Sequence, residues 1–217
     1  MQKPKVKICG ITTARDALLA EELGADYIGM IFARMSLRCV AIEKARAIIS
    51  QLKTAKPVGV FVEQDYYKTL EIAQNLGLWG VQHYSYFPQK FDGFNYIYAV
   101  RMGGPPASAG AGSAPKDLSS LTADYLLLDS YDENQHGGTG KTFDWSQLAK
   151  LDTRRTFLAG GLGPLNICAA ARISPYALDL SSSVEISPGI KDPNKLQQLF
   201  ENLRDCDVTN PEKPAGS

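Results

Sequence analysis

The sequence predicts a single α/β domain, folded as a parallel (β/α)8 barrel of the TIM type, from three observations. Strand-like and helix-like segments alternate along the chain, there are eight strand candidates, and most of them are continuous apolar runs. Continuous apolar runs are typical of strands covered on both faces, as in a parallel sheet. Eight βα repeats close naturally into a barrel, although 217 residues is short for one. A doubly wound open sheet is the main alternative, because periodicity alone does not separate the two.

The predicted strands are short and rich in β-branched and other apolar residues. In chain order they span residues 6–9, 27–32, 57–62, 81–83, 96–100, 125–128, 156–159 and 177–180. Thr13 can cap a helix that ends at Gly24, and Asp65 opens a helix that runs through Leu76 with Gly77 just beyond it. Further helices are predicted over residues 42–52, 145–151, 165–172 and 194–204.

Two regions interrupt this rhythm. Residues 103–115 are rich in Gly, Pro, Ala and Ser, which predicts a flexible loop after the fifth strand. Residues 207–217 carry two prolines and little apolar content, which predicts a flexible tail. The βα pattern resumes after the first region, so we expect one barrel domain over residues 1–206.

The bulk properties exclude several function classes. The formal net charge is zero, which removes the broad attraction that non-specific nucleic-acid binding needs. No segment reaches about 18 continuous apolar residues, so no membrane span is expected. Four scattered cysteines form no CxxC pair and lie at no metal-ligand spacing from the two histidines. We therefore expect no metal site, reduced thiols and a cytoplasmic location.

Three candidates for catalysis lie at predicted carboxyl ends of strands, where TIM barrels place their active sites. Cys9 ends the first strand directly before Gly10, Asp129 follows the apolar run at 125–128, and Arg38 lies in the loop after the second strand. Cys9 is either a small buried hydrophobe or a thiolate base. Asp129 is either a turn residue or a carboxylic acid of raised pKa, and Arg38 on its own would most often be a solvated surface charge.

Glycine and serine turns after the last two strands indicate a phosphate site. Gly160 and Gly161 follow the seventh strand, and Ser181, Ser182 and Ser183 follow the eighth. Backbone amides of such turns bind anions, and this is where TIM barrels frequently bind phosphate. The segment GGTGKT at 137–142 is no P-loop, because the glycine required five residues before Gly140 is Gln135.

The chain resembles the phosphoribosylanthranilate isomerase family over nearly its whole length. The motifs that carry the resemblance are KICGIT at 7–12, GADYIG at 24–29, VGVFV at 58–62, LLDS at 127–130, GGTG at 137–140, FDW at 143–145, LAGGL at 158–162, VE at 184–185 and PGIKD at 188–192. The resemblance implies a cofactor-independent barrel acting in tryptophan biosynthesis, as a monomer or a homodimer. So many motifs in one order are far more specific than any single glycine turn.

The resemblance also implies a role for each candidate residue. Cys9 is the expected general base and Asp129 the expected general acid of an Amadori rearrangement. Arg38 is expected to hold the anthranilate carboxylate, and Asp179 to face the sugar. The substrate phosphate is expected at Gly161, Ser181, Ser182 and Ser183.

Three departures from the family pattern bear on the substrate more than on the proton chemistry. The usual SPR is SLR at 36–38, and the usual SSG ends in Ser183. After the fourth strand, either Tyr84-Ser85 replaces the usual His-Gly or the register has slipped. If that last glycine needs a positive φ or a close phosphate, Ser183 carries a steric cost. A barrel enzyme of the same architecture that acts on a related phosphorylated sugar and a catalytically silent binding or structural barrel therefore remain as alternative hypotheses.

Overall fold

A computed structural model describes residues 3–102, 121–130 and 153–206, and within them eight strands form a closed parallel barrel. The strands are β1 (Lys5–Ile8), β2 (Tyr27–Ile31), β3 (Lys56–Phe61), β4 (Gly80–His83), β5 (Asn95–Met102), β6 (Tyr125–Ser130), β7 (Thr156–Leu158) and β8 (Ala177–Leu180). Strand β8 pairs with β1, with Lys5 opposite Ala177 and Ile8 opposite Leu180. The predicted barrel is therefore confirmed. The alternative of an open sheet is wrong, because the edge strands of an open sheet would not pair with each other as β1 and β8 do.

The described helices are α1 (Ala14–Leu23), α2 (Ile42–Ile49), α3 (Tyr66–Leu76), α4 (Ile167–Arg172) and α5 (Pro193–Asp205). Their predicted caps are confirmed. Thr13 accepts a hydrogen bond from the Asp16 amide, and Gly24 ends α1 with a φ of 117°. Asp65 caps α3 in the same way and Gly77 ends it with a φ of 60°. The predicted loop at 103–115, helix at 145–151 and tail at 207–217 lie outside the described residues.

Aromatic side chains fill the amino end of the barrel. The amino-end aromatic layer consists of Tyr27, Trp79, Tyr125, Phe157 and Tyr176. Its rings lie 4.5 Å apart between the centroids of Tyr125 and Tyr176 and 4.7 Å apart between those of Tyr27 and Trp79. The hydroxyl oxygens of Tyr27 and Tyr176 are 2.7 Å apart, so these two polar groups satisfy each other. With this end filled, the opposite, carboxyl end is the one that can hold a ligand.

A short hairpin follows the eighth strand and returns the chain to the carboxyl end. After a 3-10 turn at Ser182–Val184, strands β9 (Glu185–Ser187) and β10 (Ile190–Lys191) pair antiparallel. The Thr12 hydroxyl donates to the Gly189 carbonyl at 2.6 Å, which ties the hairpin to the loop after β1. The hairpin therefore brings Glu185 and Lys191 next to the first strand.

The expectation that all four thiols are reduced is wrong for one pair. Cys168 in α4 and Cys206 after α5 form a disulfide, with Cα atoms 5.4 Å apart, whereas Cys9 and Cys39 are free. The cysteines are 38 residues apart and share no local motif, so their proximity follows only from the packing of α4 against α5. The sequence carried no signal for it.

Replacing both Cys168 and Cys206 with serine is expected to lower the free energy of unfolding by about 4 kcal/mol, because the bridge closes a loop of this length in the unfolded chain. Urea denaturation of the double variant and of wild type checks this. Reductant should lower wild-type stability to that of the variant, and Cys39→Ser should leave stability unchanged. Equal stability of wild type and double variant without reductant would refute the bridge.

Across the described ranges, no helix is long and apolar enough to cross a membrane. Within the same ranges, no group of three or more His, Cys, Asp or Glu residues is placed to hold a metal ion.

Candidate active site

The carboxyl end of the barrel brings Cys9, Asp129 and Asp179 together, as the sequence predicts. Cys9 directly follows β1 and its amide donates to the Leu180 carbonyl at 2.8 Å, which fixes it beside β8. Asp129 lies within β6 and Asp179 within β8. Burial raises the pKa of the Cys9 thiol, and the charge of Asp179 adds to this while Lys7 and Lys191 partly offset it. The thiol therefore needs its cationic neighbours to become a base.

Lys7 is the nearest of these cations, and sequence reasoning missed it. Its side chain is fully buried, and Nζ lies 2.8 Å from Oδ1 of Asp179. Burial by itself lowers the pKa of Lys7, but Asp179 and the hydrogen-bonded Cys9 outweigh burial and raise the pKa. The ammonium therefore stays charged beside the thiol. The available signal was a lysine two residues before Cys9 in the otherwise apolar run at 6–9, because alternate strand residues face the same side.

Asp129 has the environment of a general acid. Its pKa is raised to about 6, because burial and the charge of Asp179 outweigh the opposing effects of Arg101, the Tyr84 hydroxyl and Lys7. A carboxyl group with this pKa is still partly protonated near neutral pH. It can therefore donate a proton where an ordinary aspartate would already be ionised.

Arg38 is held by Glu185, a residue to which the sequence analysis gave no role. Arg38 Nε lies 3.0 Å from both carboxylate oxygens of Glu185, and Nη2 lies 2.7 Å from Oε2. Burial raises the pKa of Glu185, yet Arg38 and Lys191 outweigh burial and lower it, so the carboxylate is ionised. This contact fixes the guanidinium on its Nε side and leaves its Nη1–Nη2 edge for a ligand.

Lys191 links Glu185 to Cys9. Its buried Nζ donates to the Cys9 carbonyl at 2.6 Å, to the Ser181 carbonyl at 3.2 Å and to Glu185 Oε1 at 2.8 Å. One ammonium therefore satisfies acceptors from the residue after β1, from the turn after β8 and from the hairpin. Sequence reasoning missed it, although it stands in the PGIKD motif.

The turns after β7 and β8 meet, as predicted for a phosphate site. Gly160 and Gly161 have φ angles of 83° and 66°, a conformation that other residues rarely adopt. A Cβ atom on Gly163 would lie 3.1 Å from the Ser183 Cβ, so the two turns are in contact. Ser181 lies beside Gly10, where an added Cβ would come within 3.0 Å of its hydroxyl oxygen. Turn amides from both strands can therefore face one anion.

The structure shows the local geometry at two of the departures, Leu37 and Ser183. Ser183 lies in a 3-10 turn, and among the described residues other than glycine only Ser174 has a positive φ. The steric cost in φ that the missing glycine suggested is therefore absent. Leu37 is exposed, and the Ser36 hydroxyl accepts from the Arg38 amide at 3.1 Å. That bond stabilises the turn in which the family's proline is missing.

The side chains of His83 and Tyr84 show which residue at the end of β4 faces the site. His83 is buried outside the barrel, where Nε2 lies 2.9 Å from the Gln64 carbonyl oxygen and Nδ1 accepts from the Ser85 amide. Tyr84 points the other way, and its hydroxyl lies 3.4 Å from Asp129 Oδ2. Tyr84 is therefore the residue of β4's end that reaches the site.

Comparison with known proteins agrees with this geometry. The family model for N-(5'phosphoribosyl)anthranilate (PRA) isomerase matches residues 6–202. The chain is 40% identical over 206 residues to the N-(5'-phosphoribosyl)anthranilate isomerase of Citrifermentans bemidjiense, covering 92% of this chain and 97% of that protein. It is also 40% identical over 209 residues to the enzyme of Pseudomonas fluorescens, covering 94% and 97%.

Solved structures give the same result. The phosphoribosyl anthranilate isomerase of Thermus thermophilus aligns with a TM-score of 0.78 and 36% identity, covering 92% of this chain and 98% of that one. A phosphoribosyl anthranilate isomerase in complex with reduced 1-(o-carboxyphenylamino)-1-deoxyribulose 5-phosphate aligns with a TM-score of 0.73 and 30% identity, covering 93% and 98%. From its closed barrel, its site and these matches, the chain belongs to the N-(5'-phosphoribosyl)anthranilate isomerase family.

Proposed function

We propose that this protein catalyses the Amadori rearrangement of N-(5-phosphoribosyl)anthranilate to the 1-deoxyribulose 5-phosphate ketone in tryptophan biosynthesis, without a cofactor. One observation carries the proposal: the barrel mouth holds a thiol beside a buried ammonium together with a carboxyl group whose pKa is raised to about 6. A base and an acid with separate environments are what this aldose–ketose chemistry requires.

The two groups act in sequence. Asp129 donates its proton to the ribose ring oxygen, the C1–O bond breaks and the ring opens to a Schiff base. The Cys9 thiolate then removes the proton from C2, which leaves an enolamine that tautomerises to the ketone. Each positioned proton transfer contributes about 10²–10⁴-fold. Lys7 stabilises the thiolate, since its ammonium is hydrogen-bonded to Cys9 and cannot leave the barrel interior.

Charged and polar groups at the mouth hold the ends of the substrate. The Nη1–Nη2 edge of Arg38 binds the anthranilate carboxylate while Glu185 holds the Nε side. The turns at Gly161 and at Ser181, Ser182 and Ser183 bind the phosphate through backbone amides. Asp179, fixed by Lys7, accepts from a sugar hydroxyl. Holding both ends aligns the sugar carbons between acid and base.

The setting we propose is a cytoplasmic enzyme with a phosphorylated small molecule as its ligand and no nucleic-acid partner. It acts as a monomer or a homodimer; the solved relatives include monomers derived from the dimeric enzyme of Thermotoga maritima. We propose one catalytic barrel domain over residues 1–206; the predicted tail at 207–217 lies outside the described residues.

The test is steady-state turnover of phosphoribosylanthranilate, followed by the loss of its anthranilate-type fluorescence. A panel of related phosphorylated aminosugars, run alongside, tests the alternative substrate. Turnover of phosphoribosylanthranilate above the panel supports the proposal. A folded protein that turns over a panel member instead, or binds phosphate ligands without turnover, would overturn it.

Arg38→Lys is expected to raise KM about 10–100-fold with a smaller fall in kcat, because lysine offers a point charge where the guanidinium offers a planar fork. Full kinetic curves separate the two constants. Arg46→Lys is the matched control, because Arg46 is an exposed arginine bonded to Asn75 on the helical surface. An unchanged KM in Arg38→Lys would mean that another group binds the carboxylate.

A further inference from the structure

Tyr84 lies close to both Asp129 and Cys9, the proposed acid and base. Its hydroxyl is 3.4 Å from Asp129 Oδ2, and its phenol feels the charges of Cys9 and Asp179 as well. The guanidinium carbon of Arg101 lies 5.4 Å from the centre of its ring. Arg101 is also the β5 residue paired with Asp129 in β6. The ring therefore contacts a cation while its hydroxyl is directed at the Asp129 carboxyl group.

We propose that Tyr84 is a positioning residue that holds the general acid Asp129 through its hydroxyl and stabilises the carboxylate left when that acid gives up its proton. This inference rests on the proposed function, because Asp129 is the acid only in that chemistry. The hydroxyl bonds Oδ2, which leaves Oδ1 to carry the proton toward the substrate.

The protonation state of Tyr84 suits this role. Burial raises its pKa well above the usual value, and Asp129, Cys9 and Asp179 raise it further. The phenol therefore keeps its proton over the pH range in which Asp129 titrates, and it can donate that proton in a hydrogen bond to the Asp129 carboxylate. The bond is long in the ligand-free site, as catalytic hydrogen bonds often are before substrate binds.

The timing of charge on Asp129 explains why a donor there speeds the reaction. Before proton transfer Asp129 is a neutral acid, and in the transition state it becomes a carboxylate. A hydrogen bond to the carboxylate is stronger than one to the neutral acid. It therefore stabilises the transition state more than the ground state, which lowers the barrier. The same preference lowers the pKa of Asp129, opposing the burial that raises it.

Tyr84→Phe removes only the hydroxyl and tests the proposal. At the pH optimum of each protein, we expect kcat to fall about tenfold and KM to stay within about twofold. The inflection near pH 6 in the rate profile, which Asp129 sets, should move to higher pH. A residue that only packs would not move that inflection.

Tyr86→Phe is the matched control. Its hydroxyl bonds the Thr122 hydroxyl at 3.2 Å, away from Asp129, so its loss should leave the inflection in place. An inflection that is unmoved in Tyr84→Phe, or a raised KM with unchanged kcat, would overturn the proposal.

A titration without substrate separates this inference from the proposed function. The carboxyl infrared band of Asp129, identified by its absence in Asp129→Asn, should titrate at higher pH in Tyr84→Phe than in wild type. That shift without any wild-type turnover would support the Tyr84–Asp129 hydrogen bond and refute the proposed isomerase activity. Wild-type turnover without the shift would sink the role of Tyr84 alone.

Discussion

Cys9→Ala is expected to reduce turnover of phosphoribosylanthranilate about 10³-fold or more, because no other group in the described site can take the C2 proton at the same position. The buried thiol has a raised pKa, so the active thiolate is its minor form near neutral pH. The profile of rate against pH should accordingly carry its upper inflection above the pH at which an ordinary thiol titrates. Steady-state assays across pH check both expectations.

Cys39→Ala provides the control for that experiment. Cys39 is the second free thiol, is exposed and lies in the loop after β2. Its replacement should leave kcat within about twofold, since it touches none of the proposed acid–base groups. Residual activity of Cys9→Ala above a tenth of wild type would remove the thiol from its role as base.

Asp129→Asn is the second large effect, with an expected loss in kcat of about 10³-fold. The amide is close to the carboxyl group in size and can still accept from Tyr84, but it cannot protonate the ring oxygen. The fold should not suffer, because burial already disfavours the charged carboxylate and raises its pKa to about 6. We therefore expect a melting temperature at or above that of wild type.

The matched control is Asp92→Asn, the same substitution at an exposed residue remote from β6's carboxyl end. Kinetics and thermal unfolding should both stay at wild-type values there. If Asp129→Asn keeps wild-type kcat, ring opening needs no acid from this residue, and the acid must be sought elsewhere.

The barrel could be predicted because its signals are local. Continuous apolar runs, the caps at Thr13 and Asp65 and the glycine stops at Gly24 and Gly77 each depend on a few neighbouring residues. The observed bounds of the described strands and helices differ from the predicted bounds by only a few residues. Helix α4 begins at Ile167 rather than 165, because Leu165 is exposed in the turn before it.

The supporting residues of the site could not be predicted in the same way. Cys9, Asp129 and Arg38 reach the barrel mouth as expected, but their partners come from distant parts of the chain. Lys7 meets a partner 172 residues away, and Arg38 meets Glu185 across 147 residues. Which side chains meet in these ion pairs is decided by how barrel closure and the hairpin after β8 place them, and that placement leaves no local pattern in the sequence.

The amino-end aromatic layer has a consequence for the order of events in catalysis. Because rings fill that end, the described barrel has one way in and the same way out. A new substrate molecule can bind only after the ketone has left, so the site holds one ligand at a time during turnover. Under the proposed function, Arg38 and the turns after β7 and β8 bind substrate and product alike, so we expect the product to act as a simple competitive inhibitor.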